Sequence, residues 1–182
     1  MNFSNLPILK TERLLLRPAT IQDAADIFAY ASDPEVSKLL HWYPSTTIEE
    51  TYEVIKQWLA DYKANKPAPW VIVDATSHNV IGTIGLHEYN ADKKSALIGY
   101  CIARHYWGKG LIPEALQAVI NYLFSQTETT EIVAFCRVDN PRSQRVLEKC
   151  GFIKQGSKQE EVKGVMAIFD RFVLYDKKIL LT

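Results

Sequence analysis

Gly108, Lys109 and Gly110 stand where an apolar run ends and a helical pattern begins, in LIGYCIARHYWGKGLIPEALQAVINYLFS from Leu97 to Ser125. The first turn of a helix leaves backbone N–H groups unpaired and carries the positive end of the macrodipole. Glycines let the chain take positive φ and approach a ligand closely. Pro113 suits a first helical turn, where its missing N–H costs nothing. Together these residues form a cradle for an anion, a phosphate above all. A tight strand-to-helix turn needing glycine only for its geometry is the other reading. Two nucleotide motifs do not fit. A Walker loop needs Ser or Thr after the lysine, and here Gly110 holds that place. The dinucleotide pattern G-x-G-x-x-G meets Pro113 at its third position.

Other residues with chemical potential are scattered along the chain. Asn140 precedes Pro141 at a helix start and is a good N-cap. His87 and Glu88 close a strand as candidate proton acceptors, or as solvent-exposed strand-end residues. Cys101 lies on an apolar strand between Tyr100 and Ile102 and reads as a packing residue rather than a nucleophile. Cys136 alternates with apolar neighbours, and Cys150 ends a helix before Gly151. The histidines show no metal-ligand spacing, so no metal is expected. His41, Trp42 and Tyr43 form an aromatic group between the first two helices.

The elements that must position these residues follow from periodicity. Leu14 to Arg17 reads as a strand, followed by a helix to about Ser32 that Asp33 and Pro34 break. A second helix runs from about Ile48 to Lys63, with Thr47 before it and Glu49 and Glu50 in its first turn. Trp70 to Asp74, Val80 to Leu86 and Ala96 to Ala103 read as a strand meander. A helix from about Ile112 to Ser125, a strand from Glu131 to Val138 and a short helix from Pro141 to Cys150 come next. Phe152 to Gln155 and Val165 to Tyr175 close the chain as strands. The order predicts an α/β fold with a mixed sheet. At 182 residues, without repeats or a long linker, one domain is expected.

Composition narrows the function classes. The chain carries 21 basic and 21 acidic residues, so it lacks the basic excess of a nucleic-acid binder. Its 3 cysteines form no Cys-x-x-Cys spacing and no paired framework, which fits a reducing, cytoplasmic compartment. No basic start followed by a long apolar core marks a signal peptide, and no window approaches 18 apolar residues. Neither a nucleic acid nor a membrane is expected as a partner.

Taken together, four segments in order resemble the GNAT N-acetyltransferases. They are TERLLLRPATIQDAADIF, IGTIGLHEYN, GYCIARHYWGKGLIPEALQAVINYLF and VDNPRSQRVLEKCGFIKQG. The likeness is to the RimJ/RimL-like branch, which includes ribosomal-protein alanine N-acetyltransferases, and spans about Thr11 to Tyr175. It implies a mixed, mostly antiparallel central sheet flanked by helices, with splayed central strands that bind acyl-CoA. It also implies transfer of acetyl from acetyl-CoA to a primary amine, on a protein N-terminus or a small molecule, by direct attack in a ternary complex. Tyr106, Trp107, Gly108, Lys109, Gly110 and Leu111 would wrap the pyrophosphate. His105 stands where the family has Gln or Arg. Cys101, Ile102 and Ala103 would present backbone groups to the pantetheine and thioester, with an N–H near Cys101 stabilising developing negative charge.

By the same resemblance, Asn140 lies near the pantetheine and Ser143 protonates the departing thiolate; an ordinary first-turn hydroxyl is the other reading of Ser143. Many relatives carry Glu immediately before Ile-Gly-Tyr, and here that place is Leu97. Glu88 then ranks first as general base, ahead of His87. Leu97 also keeps a second reading open, a non-catalytic acyl-CoA-binding or regulatory domain on the same fold. A monomer or a homodimer is expected.

Overall fold

Period-two alternation builds one sheet from this chain, and stripes of period 3.6 build the helices packed on its faces. The computed structural model describes residues 1–177. The last five positions of the expected single domain, 178–182, lie outside the described residues. The strands are β1 (Leu9–Lys10), β2 (Leu14–Pro18), β3 (Pro69–Asp74), β4 (Val80–Asn90), β5 (Ser95–Ile102), β6 (Glu131–Arg137), β7 (Ile153–Val162) and β8 (Val165–Tyr175). The helices are α1 (Ala24–Ala31), α2 (Pro34–Ser37), α3 (Ile48–Lys63), α4 (Leu111–Gln126) and α5 (Pro141–Lys149). The eight strands form one sheet in the order β1-β2-β3-β4-β5-β6-β8-β7. Every neighbouring pair is antiparallel except β5 and β6, which run parallel. The mixed sheet read from the sequence is therefore present.

The long helices form where their patterns place them. Thr47 caps α3, its Oγ1 accepting the Glu50 N–H at 3.4 Å. Along α4, Leu111, Ile112, Ala115, Leu116, Val119, Ile120 and Leu123 are buried in the main core. That stripe fixes the rotation of α4 about its axis, and so the direction in which its N-terminus points. Several elements differ from expectation: a short β1 pairs with β2, and β4 runs past Leu86 to Asn90 beside β5, so that His87 and Glu88 lie inside the strand and do not close it. The break at Asp33 and Pro34 starts a new turn, α2, because Asp33 Oδ1 accepts the Glu35 N–H at 3.0 Å and Pro34 suits a first position. Strand β7 continues past Gln155 to Val162; as an edge strand exposed along most of its length it shows no alternation to read.

A charged pair ties the start of the helical layer to the sheet. Arg17, on β2, donates from Nη1 and Nη2 to both carboxylate oxygens of Asp23 at 2.8 and 2.7 Å, and the Thr20 N–H donates to the same group at 2.7 Å. Burial alone would raise the Asp23 pKa, but these donors override it and hold the carboxyl below its usual range. A group depressed on folding stabilises the fold above its unfolded pKa and loses that contribution as pH falls through the folded value. Asp23→Asn should therefore cost about 2 kcal/mol at pH 7, read from urea midpoints, with the gap to the wild type closing below about pH 4.

Candidate functional site

The parallel pairing of β5 with β6 covers only Ser95–Glu131, Ala96–Ile132 and Leu97–Val133, although β5 runs on to Ile102 and β6 to Arg137. Beyond Leu97 the two strands diverge, and a gap opens in the centre of the sheet. A strand residue sends its N–H and C=O to the same side, alternating along the chain. Lys94 O accepts the Thr130 N–H at 2.7 Å, Ile102 O accepts from Trp107 Nε1 at 2.9 Å, and the Ala103 N–H donates to Ile81 O at 2.8 Å. Even-numbered residues of β5 thus face β6, and odd-numbered ones face β4. Tyr100 turns its N–H and C=O into the gap, and Ile102 its N–H.

This phase corrects part of the sequence reading. Ala103 spends its N–H on β4, and the main chain of Cys101 also faces β4, opposite Thr83. Of Cys101, Ile102 and Ala103, only Ile102 offers a backbone donor to the gap. The Cys101 thiol lies 3.3 Å from Thr83 Oγ1, and burial raises its pKa, so it is held as a neutral thiol. Tyr100 is the residue that sequence reasoning missed. Strand periodicity was the available signal, because Tyr100 shares its phase with Ile98 and Ile102.

At one mouth of the gap lies the glycine-bracketed loop. A 3₁₀ turn at Arg104–Tyr106 leads into Trp107 and then Gly108, with φ 77°, and Gly110, with φ 75°. Among the described residues, no protein acceptor takes the N–H of Gly108, Lys109, Gly110, Leu111 or Ile112. Five consecutive donors are thus left at the positive end of α4, an arrangement able to hold an anion. A Cβ on Gly108 would meet nothing within 4 Å, so glycine is needed there for φ and not for space. The cationic carbon of Arg142 lies 4.0 Å over the Trp107 ring, and Lys109 Nζ lies 5.1 Å over Tyr106. The His105 ring stands edge-on to Tyr106 at 5.6 Å.

On the helix side of the gap, α5 brings a hydroxyl to the end of β5. Asn140 caps α5, its Oδ1 accepting the Ser143 N–H at 3.2 Å. Ser143 Oγ lies 2.9 Å from Tyr100 Oη. Burial, partly offset by this bond, pushes the Tyr100 pKa well above that of a free phenol, so the pair is neutral and carries protons at pH 7. Asn140, Ser143 and Tyr100 form one connected set that includes a strand, a loop and a helix.

On the opposite face a small cavity of about 160 Å³ is lined by Glu88, Leu97, Val133, Phe135 and Arg171. A bulge in β4 between Leu86 and Glu88 makes Glu88 the cross-strand partner of Leu97. Directly opposed residues place their side chains on one face, about 5 Å apart at Cβ. The Glu88 carboxylate makes no hydrogen bond or ion pair among the described residues, whereas Arg171 is bonded to Glu131 at 2.8 Å. His87 lies against Gly99, where a Cβ would collide with its imidazole. Burial lowers the His87 pKa, with help from nearby His41, so the ring is neutral at pH 7. His41 in turn stacks on Phe169 at 5.2 Å. Trp42 packs against the main core, and Tyr43 is exposed beneath Lys163 Nζ at 5.3 Å.

Comparison with known proteins gives the same outline. The model of the GNAT acetyltransferase domain matches residues 13–153. The N-acetyltransferase YoaA of Bacillus subtilis is 37% identical over 150 residues, 82% of this chain and 85% of that protein. A ribosomal-protein-serine acetyltransferase of Escherichia coli is 40% identical over 77 residues, 42% of this chain and 43% of its own. The structure of a spermidine N-acetyltransferase from Vibrio cholerae with CoA and spermine superimposes with a TM-score of 0.79 at 25% identity, covering 93% of this chain and 99% of that one.

Proposed function

The chain belongs to the GNAT acetyltransferase family, and from that premise we propose that it acetylates the single amine of a peptide N-terminus by direct attack within a ternary complex. It is an N-acetyltransferase that uses acetyl-CoA. The observation that carries the reading is the gap beyond Leu97 and Val133, with the donor cradle at its mouth, Ser143 on one side and Glu88 on the other.

The free N–H groups from Gly108 to Ile112 fit the pyrophosphate of acetyl-CoA, and the edge groups of Tyr100 and Ile102 fit the amides of its pantetheine. The bound donor supplies an acetyl thioester, an activated acyl group with a thiolate leaving group. Ile102 N–H and Tyr100 N–H are the donors available to an oxygen that gains negative charge in this gap. Ser143 Oγ holds the proton for the leaving sulfur, and Tyr100 Oη holds the proton that replaces it. Glu88, opposite Leu97, takes the place of the carboxylate that Leu97 lacks and removes a proton from the incoming amine, directly or through one water. That unpaired carboxylate also counts against a purely regulatory acyl-CoA-binding domain.

The acceptor face favours one amine over several. Glu160 is paired with Lys158 at 2.6 Å and Glu131 with Arg171 at 2.8 Å. Glu88 is left as one free carboxylate in a small cavity, too few for a polyamine with cations at each end. Three cysteines without disulfide partners and the family's intracellular donor support a cytoplasmic enzyme.

A thiol-release assay with acetyl-CoA tests the reading. N-terminal peptides should exceed spermidine by at least about tenfold in kcat/KM, the equivalent of one unpaired charge contact. Ser143→Ala should lower kcat by about 10²-fold while the melting temperature stays put, since Asn140 still caps α5. Tyr100→Phe should lower it less. Spermidine turning over as well as peptides would remove the acceptor assignment, and full turnover by Ser143→Ala would remove the proton donor.

A further inference from the structure

A second layer of contacts lies behind the cradle, on the side away from the gap. Arg13, on the turn between β1 and β2, donates from Nη1 to Lys109 O at 3.0 Å and from Nη2 to Gly110 O at 3.5 Å. The same guanidinium donates from Nε to Glu114 Oε2 at 2.7 Å, with Nη2 at 2.6 Å from that oxygen. The Arg13 N–H donates to Glu114 Oε1 at 2.9 Å, and the Thr11 hydroxyl donates to the same oxygen. Glu114, in the first turn of α4, thus holds Arg13 in place, and Arg13 holds two carbonyls of the loop.

A trans peptide plane points its C=O and the following N–H in opposite directions. Pulling Lys109 O outward aims the Gly110 N–H into the cradle, and pulling Gly110 O outward does the same for Leu111. Gly110 has the freedom to flip the 109–110 plane, because φ 75° carries no penalty in glycine and the loop has no side-chain cap, whereas the 110–111 plane is already fixed by the Glu114 N–H donating to Gly110 O at 3.3 Å. A flipped plane would present a carbonyl oxygen to the phosphates in place of a donor. The protein therefore needs something to choose the orientation before the ligand arrives.

We propose that Arg13, braced by Glu114 and Thr11, is a positioning residue that pre-orients the pyrophosphate loop from behind. This rests on the reading of the cradle as the pyrophosphate site. It acts through the peptide plane at 109–110, and at Gly110 O it adds to a bond that α4 already makes. Its bond set matches a planar five-donor fork, which lysine cannot reproduce.

Two donors separate this role from general support of the fold. Acetyl-CoA carries the pyrophosphate, and S-acetylpantetheine lacks it. With acetyl-CoA, Arg13→Gln should raise KM about tenfold with kcat little changed, the size of one or two lost charge-assisted hydrogen bonds. With S-acetylpantetheine, the variant and the wild type should agree within about twofold. Arg13→Lys should restore little. Glu114→Gln should show the same donor-selective loss at a smaller size, since it keeps an acceptor for Thr11 and for the Arg13 N–H. Equal losses on both donors, or no loss on either, overturn the proposal. A wild-type enzyme indifferent to the two donors removes the pyrophosphate site itself, and the inference with it.

Discussion

Glu88→Gln should lower kcat/KM for a peptide amine by about 10²-fold at pH 7, with KM for acetyl-CoA unchanged, because a positioned general base contributes 10² or more to such a step. An α-amino group titrates near pH 7.7–8.0, so much of the acceptor arrives protonated and unreactive at pH 7. The variant should therefore recover as pH rises through that range and the solvent supplies the free amine. The wild type should show a flatter profile over the same interval. The Glu88 side chain is exposed at the rim of its cavity and has no partner among the described residues, so the substitution should leave the fold intact. Parallel pH profiles with no drop in rate would transfer the base to His87, which lies against Gly99 and is neutral at pH 7. His87→Gln would then carry the defect.

Gly108→Val should weaken acetyl-CoA binding by tenfold to a hundredfold, about 1–3 kcal/mol of backbone strain at φ 77°. Crowding is not the cause, since a Cβ at Gly108 meets nothing within 4 Å. The strain arises because a β-branched residue resists positive φ, and the loop escapes it by abandoning the geometry that aims its N–H groups. Gly108→Asn supplies the control, because asparagine tolerates the left-handed region. Its affinity should fall within about threefold of the wild type. Titration of CoA into each variant, with melting temperatures alongside, reads the result. Equal affinity in the valine variant would mean that the loop does not bind the ligand through this geometry.

Both predictions act on the same gap from different sides, and the sheet explains why. Parallel neighbours such as β5 and β6 need a crossover between them, and here α4 supplies it. The crossover starts at the end of β5, so the N-terminus of α4 necessarily lies at the mouth of whatever opens between the two strands. The loop end of the gap therefore follows from chain order. The cavity on the opposite face does not: it draws Glu88 from β4, Phe135 from β6 and Arg171 from β8, residues that no single segment holds together.

The division between sequence and structure follows that line. The Gly108–Lys109–Gly110 loop, the α4 stripe and the Asn140 cap were legible because each is a local pattern, set by neighbours within one turn or one strand. Strand phase is local too: the resemblance groups Cys101, Ile102 and Ala103, whereas alternation turns only Ile102 of the three toward the gap, together with Tyr100. Knowing which edge of β5 faces the gap required its hydrogen bonds to β4, above all the Ala103 N–H to Ile81 O. The bulge that sets Glu88 against Leu97, the Tyr100–Ser143 bond and the reach of Arg13 to the loop join residues 9 to 96 or more apart in the chain. Such pairings depend on register and on side chains meeting across elements, which only the packed tertiary structure decides. The sequence by itself determined the fold, the family resemblance and the glycine-bracketed loop at the start of α4, because those are written in periodicity and local turn chemistry. The structure decided which groups face the gap and that the bulge in β4 sets Glu88 opposite Leu97, because register and packing across strands are not local properties.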